Sequence, residues 1–442
     1  MIDTQTDNDL FLSAHKQFAG TVDTQDAPWL QSIRKAAITR FGELGLPGKR
    51  NEDWKYTSLT PLTKIPFKLA KELPSVSETL INEYAIADSH QLVFVNGVYC
   101  PELSRVEDVP EGVVIADLAT AVSKHSELVE PHLARYAQHD ELALTALNTA
   151  FIKDGTFIHV PTNGVVEKPI HIIHVNVTTD EPTMCFPRHL IVAERSSQVT
   201  VTESYVGKSD QQSLTNSVVE LVADANARVD HYKVVRESDS AFHIANLQVK
   251  QQRDSNVFSH YFALGGGLIR NESRTLFAGE NAECTFNGLY MGHGKQHIDN
   301  HTVIDHAVPH CNSYELYKGL LDDKSHGVFN GKIFVRIDAQ KTDAKQTNQC
   351  ILLSDDAVID TKPQLEIFAD DVKCTHGATI GQLDEKALFY LRARGIKLEQ
   401  ARRLLIYAFA NDVVERVAVE PVRQQLQDTL LARQSLPHLQ ES

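Results

Sequence analysis

The spacing of apolar residues changes twice along the chain and separates two helical ends from a long middle made of strands. Between Pro28 and Leu44, apolar residues recur at every third or fourth position, which predicts an amphipathic helix. Pro28 suits the first turn of that helix, and Gly45 follows its last apolar position. We therefore expect the chain to begin with a helical domain over residues 1–90.

The middle of the chain, from about residue 91 to about 371, consists of short alternating or β-branched runs. Long amphipathic helices do not occur between these runs, which excludes a doubly wound α/β sheet and leaves a sandwich, a barrel or a β-solenoid. Aspartates expected in turns are too unevenly spaced to single out a solenoid. Periodicity alone therefore predicts a mainly β domain over residues 91–380. The turn aspartates are Asp224, Asp254, Asp323, Asp355 and Asp370.

Helical spacing returns after the strands and predicts a compact C-terminal domain over residues 381–442. Asp384 has the side chain of a good helix N-cap, and Gly395 suits the position that follows a helix end. We expect a second helix to end at Asn411 and a third to follow Pro421.

Charge and hydropathy exclude two classes of partner. The formal net charge of −15 would repel phosphates, so neither nucleic acid nor an anionic membrane surface is expected to bind. The late apolar run Leu404–Ala410 is far shorter than the roughly 20 residues that a membrane span needs. No basic region with an apolar stretch follows Met1. We expect a cytoplasmic protein.

The cysteines agree with a reducing compartment, because the six are scattered singly and none forms a CxxC pair. An isolated cysteine is more often a small buried apolar residue than a metal ligand. The six are Cys100, Cys185, Cys284, Cys311, Cys350 and Cys374.

Phosphate-binding loops are not expected in this chain. The closest string, Gly292–Lys295, has neither the preceding glycine nor the following hydroxyl residue of the GxxxxGK[ST] loop, so the chain should not hydrolyse ATP. Three successive glycines, Gly265–Gly267, lack the GxGxxG order and predict a turn.

Five histidines recur over a short stretch and suggest a zinc site if they lie on a helix. Alternation around Thr302–Ile304 indicates a strand instead, where four residues span about 13 Å, so neighbouring histidines of one strand cannot share a metal. Histidines of adjacent strands could, which leaves open both a metalloenzyme, such as a cupin-like hydrolase, and purely structural roles. The five are His293, His297, His301, His306 and His310.

A second candidate metal site is the pair Cys374 and His376. On a strand these side chains share one face with their backbones about 7 Å apart, and thiolate with imidazole suits iron or zinc. Iron–sulfur clusters normally have four protein ligands, so the pair could form only half a site, completed by a partner chain. Burial of the thiol and a hydrogen bond of the imidazole next to Gly377 is the structural alternative.

Longer strings surround this pair and extend from about residue 146 to about 396. They are Ala146–Phe151, Gly155–Ile158, Val160–Pro161, Tyr314–Gly319, Pro363–Ile367, Asp370–Cys374, His376–Thr379, Gly381–Asp384, Leu388–Arg392 and Arg394–Ile396. These strings resemble the SufB/SufD family of iron–sulfur cluster assembly. Two N-terminal strings, Gly45–Pro47 and Glu52–Tyr56, resemble the SufD branch more than SufB. A polysaccharide-active β-helix, a further alternative, would normally carry a secretion signal.

The resemblance implies a right-handed parallel β-helix flanked by helical domains, acting as a non-catalytic scaffold. It implies a heterodimer with SufB through the core and binding of the ATPase SufC through the C-terminal helices. ATP would then be hydrolysed by SufC, with no nucleotide bound by this chain. A homodimer of the isolated chain is an open alternative.

The resemblance also implies roles for single residues. Cys374 and His376 match family positions at the SufB–SufD interface, where iron or a nascent cluster would be held transiently. Arginines of the C-terminal helices could contact SufC, although a solvated helix face is the alternative. These are Arg392, Arg394, Arg402 and Arg403.

Overall fold

The computed structural model describes residues 4–22, 27–70, 76–137, 139–177, 181–207 and 211–433. Helices lie mainly before residue 151 and after residue 384. None of those in the described ranges is long and apolar enough to cross a membrane. The helices are α1 (Thr4–Val22), α2 (Pro28–Leu44), α3 (Thr60–Thr63), α4 (Glu78–Tyr84), α5 (Leu118–Lys124), α6 (Ser126–Val129), α7 (Ala143–Ala150), α8 (Glu385–Arg392), α9 (Leu398–Val414) and α10 (Glu420–Arg433).

Strands make up nearly all of the chain between residues 155 and 381. They are β1 (Lys68–Leu69), β2 (His90–Val95), β3 (Val98–Tyr99), β4 (Val114–Asp117), β5 (Gly155–Val160), β6 (Ile170–Asn176), β7 (Thr183–Cys185), β8 (Arg188–Ala193), β9 (Gln198–Gly207), β10 (Ser213–Ala223), β11 (Arg228–Arg236), β12 (Ala241–Gln251), β13 (Asn256–Ala263), β14 (Leu268–Phe277), β15 (Glu283–Gly292), β16 (His297–His306), β17 (Asn312–Leu321), β18 (His326–Val335), β19 (Asp343–Leu352), β20 (Val358–Ile367) and β21 (Lys373–Gly381).

Successive strands alternate between two sheets, which makes the middle of the chain a parallel β-solenoid of about seven turns. The first sheet has the order β20-β18-β16-β14-β12-β10-β8-β5-β4, and the second has β21-β19-β17-β15-β13-β11-β9-β6-β2-β3. Only the pairs β2–β3 and β4–β5 are antiparallel among the named strands. The mainly β fold with a parallel solenoid and helices at both ends is thereby confirmed.

One corner of the solenoid explains why turn aspartates did not reveal the repeat. The corner that leads from the first sheet to the second carries one residue with positive φ in each of seven turns, at intervals of about 30 residues, a repeat length that solenoids commonly have. The residue type changes along the solenoid, so no single type marks the period. These corner residues are Asn163, Ser196, Asn226, Asp254, Asn281, His310 and Lys341.

Inside the solenoid, two glycine–tyrosine pairs interlock between β15 and β17. Gly288 pairs in register with Tyr317, and Tyr290 pairs with Gly319, so the two strands carry the same pair in opposite order. Both tyrosines are almost fully buried, and the Tyr290 hydroxyl lies 2.9 Å from the Cys350 sulfur. A Cβ atom on Gly319 would come within 2.5 Å of the Tyr290 ring, so each glycine provides the space that one ring occupies.

The N-terminal helices pack on the outer face of the first sheet, where α1, α2 and α7 share an apolar cluster with β10, β12 and β14. Helix α2 covers the predicted range, whereas α1 was not predicted, and the short helices α5–α7 interrupt the predicted strand region. The division at residues 90 and 380 stays a prediction.

A short N-terminal segment, Glu52–Thr57, crosses the first sheet, and we call it the strap. The Arg270 guanidinium lies 3.9 Å from the centre of the Trp54 ring and donates a hydrogen bond to the Asp53 carbonyl. Thr57 donates to Asp299, 2.5 Å away. Arg270 is fully buried and also pairs with Asp299 and Glu272, so an aromatic ring and two carboxylates together compensate its charge.

The strap begins beside the last turn of the solenoid. There Glu52 forms an ion pair of 2.5 Å with Lys362 on β20. The Lys362 ammonium lowers the pKa of Glu52 through a hydrogen bond and its charge. This pair is exposed and contributes little energy by itself. It does place the N-terminal segment beside the end of the solenoid.

The C-terminal helices α9 and α10 pack on the outer face of the second sheet. Lys318 on β17 pairs with Asp412 on α9 at 2.6 Å and lies over the Phe409 ring. The prediction that Asn411 ends this helix is wrong: the helix continues to Val414 because the Asn411 side chain bonds to Glu415 one turn later and does not cap. The predicted N-cap is confirmed, since Asp384 accepts hydrogen bonds from two backbone amides of α8.

Candidate functional site

The C-terminal end of the solenoid is open. Strands β20 and β21 are the last strands of their sheets, and each pairs with a neighbour on one side only within the described part of the chain. Most side chains of β21 are exposed and those of β20 are mostly half-buried, whereas inner strands such as β16 are largely buried. Two parallel edges with free backbone groups therefore lie side by side at this end, which suits pairing with another chain.

Cys374 and His376 lie on β21 at this open end, on the same side of the strand. In register they follow Ala344 and Gln346 of β19, and further inward the same two columns contain Cys284 and Phe286. Because Cys284 and Phe286 belong to the core between the sheets, the pair occupies the interior-facing side of the last turn. The segment is a strand, so the common face expected on a strand is confirmed.

The two side chains differ in their surroundings. Cys374 is half-buried against the apolar cluster that contains Ala344, and burial raises the pKa of its thiol. His376 is exposed. A neutral thiol is a poor metal ligand, so the site needs a nearby cation or metal to favour the thiolate.

Within the described part of the chain, the structure gives this pair no further ligands. No group of three or more His, Cys, Asp or Glu that could hold a metal ion occurs among the described residues. The other five cysteines are buried. Burial raises the pKa of Cys185 to about 12 and of Cys350 to about 11, so these thiols stay protonated. Chemically, Cys374 and His376 offer half of a coordination shell at the open end of the solenoid, where a partner chain could supply the other half.

The histidine stretch does not assemble into one site. The strand prediction is confirmed by β16, but His306 points inward to Ser313 while His297 lies on the outer face beside Thr57 of the strap. His310 is a corner residue. Burial lowers the pKa of His306 to about 3 and of His297 to about 4, so both imidazoles are neutral. The Gly265–Gly267 turn is confirmed, with φ of +109° at the middle glycine.

Helix α8 carries an exposed apolar surface beside Arg394, and the sequence did not identify this surface as a site. On α8, 74% of Phe389 and 57% of Tyr390 are exposed. Leu388 and Leu391 form the other, half-buried face of this helix. The two adjacent aromatics on the face opposite these leucines were the feature of the sequence that could have indicated an exposed apolar surface. The Arg394 guanidinium lies 3.3 Å from the centre of the Tyr390 ring.

The remaining arginines occupy other positions of the C-terminal domain. Arg392 is the last residue of α8, while Arg402 and Arg403 line a cavity of about 290 Å³ between α8, α9 and a corner of the solenoid. Leu388, on the face of α8 opposite the aromatics, lines this cavity too, and Glu385 and Glu399 make it of mixed charge. The structure therefore brings Arg402 and Arg403 together in the cavity and leaves Arg394 alone on the Tyr390 ring.

Comparison with protein families covers almost the whole chain. Residues 175–409 match the family described as "SUF system FeS cluster assembly, SufBD core domain", and residues 5–172 match the "SufBD protein N-terminal region". The chain belongs to the SufBD family. The core match contains the solenoid from β7 onwards together with α8 and most of α9, and hence the open end and the aromatic surface.

Individual relatives in the SufBD family are similar over most of their length. An iron–sulfur cluster assembly SufBD family protein of Synechocystis sp. is 34% identical over 97% of this chain and 96% of its own. The iron–sulfur cluster assembly protein SufD of Escherichia coli is 35% identical over 86% of this chain and 88% of its own. The iron–sulfur cluster assembly protein SufD of Bacillus subtilis is 30% identical over 91% of this chain and 93% of its own.

Proposed function

We propose that this SufBD family chain is a non-catalytic scaffold subunit that pairs with SufB through the open end of its solenoid and binds the ATPase SufC through its C-terminal helices. Iron or a nascent iron–sulfur cluster is the cargo, held transiently between the two scaffold chains. Cys374 and His376 supply this chain's ligands. The chain itself binds no nucleotide and catalyses no reaction.

The observation that carries the proposal is the position of Cys374 and His376 on an unpaired edge strand. A second solenoid that continues β20 and β21 would satisfy the free backbone groups of both edges and bury the interior-facing side chains. The same contact would desolvate the pair and bring a partner's ligands to it. A homodimer of the isolated chain could form through the same edges, so the choice of partner is part of the test.

SufC docking is proposed for the aromatic surface of α8. Exposed aromatics with an arginine against one of the rings are typical of the energetically dominant part of many protein interfaces. ATP-driven association of two SufC subunits would then move α8 and α9 relative to the second sheet. Since Lys318 and Asp412 join α9 to β17, this movement would reach the solenoid and could open the scaffold interface.

A cytoplasmic location belongs to the same proposal. It is supported by six free cysteines, which are usual in reducing compartments.

The first experiment tests cargo binding at the open end. The tagged chain is co-expressed with SufB and SufC and purified without oxygen, and iron and sulfide are measured per complex. We expect the Cys374→Ala/His376→Ala variant to form the complex but to lose most of its iron. The matched control is Thr375→Ala/Thr379→Ala, on the same strand but the opposite face. Equal iron in both variants would assign the pair a structural role, and absence of any complex would refute the scaffold assignment.

The second experiment tests the aromatic surface. Phe389→Ser/Tyr390→Ser removes exposed apolar area without touching the core, so SufC should fail to co-purify while SufB stays bound. Leu431→Ser is the matched control, because Leu431 is 51% exposed on α10 of the same domain. Retention of SufC by the double variant would place the SufC contact elsewhere.

A further inference from the structure

A ladder of polar side chains runs inside the solenoid and ends at His376. Glu315 of β17, Gln346 of β19 and His376 of β21 are paired in register on three successive turns. Neighbouring strands lie about 4.8 Å apart, so side chains at paired positions stack along the solenoid and can contact each other. Glu315 and Gln346 are 3% and 2% exposed. The ladder therefore connects the buried interior with the open end.

One hydrogen bond fixes the orientation of the Gln346 amide. Its Nε2 donates to Glu315 Oε2 across 2.7 Å. Because the Glu315 oxygen accepts this bond and the amide NH₂ group is the donor of glutamine, the NH₂ group faces Glu315. The amide oxygen is left as a buried acceptor, and Gln346 Oε1 has no hydrogen-bond partner among the described residues.

The opposite sheet leaves space for this amide. Gly331 of β18 faces it, and a Cβ atom on Gly331 would come within 2.3 Å of Gln346 Nε2. A buried acceptor without a partner costs about 1–3 kcal/mol, which is a reason to expect that another donor completes it in the working state. The next residue of the ladder is His376, whose imidazole carries such a donor.

We propose that Gln346, oriented by Glu315, is a positioning residue that accepts the imidazole N–H of His376 when a partner chain covers the open end. The inference rests on the proposed function, in which the other imidazole nitrogen of His376 binds iron or the cluster. A histidine ligand generally donates its second N–H to a carbonyl or carboxylate, which fixes the ring and raises its basicity. Gln346 is placed to be that acceptor, and Glu315 is the group behind it.

The experiment uses the anaerobically purified complex with SufB and SufC. Gln346→Leu removes the acceptor, and Gly331→Ala displaces the amide while leaving every polar group in place. We expect both variants to assemble and to lose iron to a ferrous chelator about 10–100-fold faster than the wild type, the usual effect of losing such a partner on metal affinity. The matched control is Gln251→Leu, since Gln251 is also a fully buried interior glutamine, bonded to Glu283 and Thr275 far from the open end.

Pulsed EPR of the reduced complex gives a readout that a purely structural role would not change. The quadrupole coupling of the remote imidazole nitrogen reports on the hydrogen bond of its N–H. It should shift in Gln346→Leu and stay unchanged in Gln251→Leu. The exchange variant Glu315→Gln/Gln346→Glu keeps a hydrogen bond within the ladder and an acceptor beside His376, so it should restore the coupling toward the wild-type value.

The outcomes separate this inference from the proposed function. If the wild-type complex shows no imidazole coupling, His376 is not a ligand, and the positioning role of Gln346 is refuted together with it. Coupling in the wild type that is identical in Gln346→Leu, with iron lost no faster than in Gln251→Leu, would overturn the positioning role alone.

Discussion

The interlocked glycine–tyrosine pairs allow a prediction whose size follows from the geometry. In Gly319→Ala the new Cβ would lie 2.5 Å from the Tyr290 ring, well inside the contact distance of about 3.5–4.0 Å between carbon atoms. The ring is fully buried and its hydroxyl bonds to Cys350, so it cannot move away without losing that bond. Overpacking of this kind costs about 1–3 kcal/mol.

An opposing effect reduces this cost. Replacing glycine by alanine in an extended strand restricts the unfolded chain and stabilises the fold by about 0.4–1 kcal/mol. The expected net loss for Gly319→Ala is therefore about 1–2 kcal/mol, which corresponds to a 5–30-fold change in an opening equilibrium. Gly381→Ala is the matched control, because no atom lies within 4 Å of its Cβ position and only the stabilising effect applies.

Hydrogen exchange followed by mass spectrometry measures this change locally. Peptides from β15 to β17 should exchange 5–30-fold faster in Gly319→Ala under native conditions, and not faster in Gly381→Ala. The double variant Gly319→Ala/Tyr290→Leu should recover part of the protection, because the smaller side chain gives space to the new methyl group. Unchanged exchange in Gly319→Ala, or additive effects in the double variant, would refute the close packing.

Three further predictions concern other parts of the molecule. Burial raises the pKa of Glu315 to about 7, so this carboxyl group contributes stability that is complete below pH 4.5 and is lost as the pH rises to about 7, in all about 3 kcal/mol. In urea unfolding, Glu315→Gln should therefore gain stability relative to the wild type between pH 5 and pH 8; a constant difference would contradict the raised pKa. Cys374 is the one cysteine that is not buried, so it should react first with a maleimide. Its rate of labelling should increase up to alkaline pH because the pKa of its thiol is raised, and bound SufB should protect it. Labelling of a second cysteine at the same rate would argue against the burial of the other five. Trp54→Ala should remove the ring over Arg270 and lower the stability of the attached strap by about 3–5 kcal/mol. Trypsin should then cleave within the strap while the strands stay intact, and Tyr56→Ala, the control, should be cleaved more slowly. Equal cleavage of both variants would contradict the role of Trp54.

Local chemistry in the sequence predicted several elements well. Proline and glycine at the two ends of α2 and the carboxylate of Asp384 at the start of α8 act within a few residues, so their effects can be inferred from the sequence alone. The common face of Cys374 and His376 follows from the period of two residues once the segment is taken to be a strand, which the structure shows. Asn411 is the exception, because its side chain bonds within the helix and does not end it.

Features that depend on contacts between distant residues could not be predicted from spacing. Each turn of the solenoid has a residue with positive φ at the same corner, a conformation that Ser196, Asp254 and Lys341 all adopt. Because the residue type at this corner differs between turns, the repeat cannot be recognised from the sequence. Only the family resemblance indicated the parallel architecture. The ladder of Glu315 and Gln346 also requires the register of separate turns, which periodicity does not supply.

The strap has a consequence for the order in which the protein is made. Glu52 and its partner Lys362 are 310 positions apart in the chain, and Asp53 and Arg270 are 217 apart. At about 5–20 residues per second, a ribosome needs roughly 10–40 s to reach Arg270 after it has completed the strap. During that interval Trp54 has no guanidinium to cover. A truncated chain that ends before Arg270 would therefore leave its N-terminal segment loose, and cellular proteases would remove such a chain before it reaches a partner.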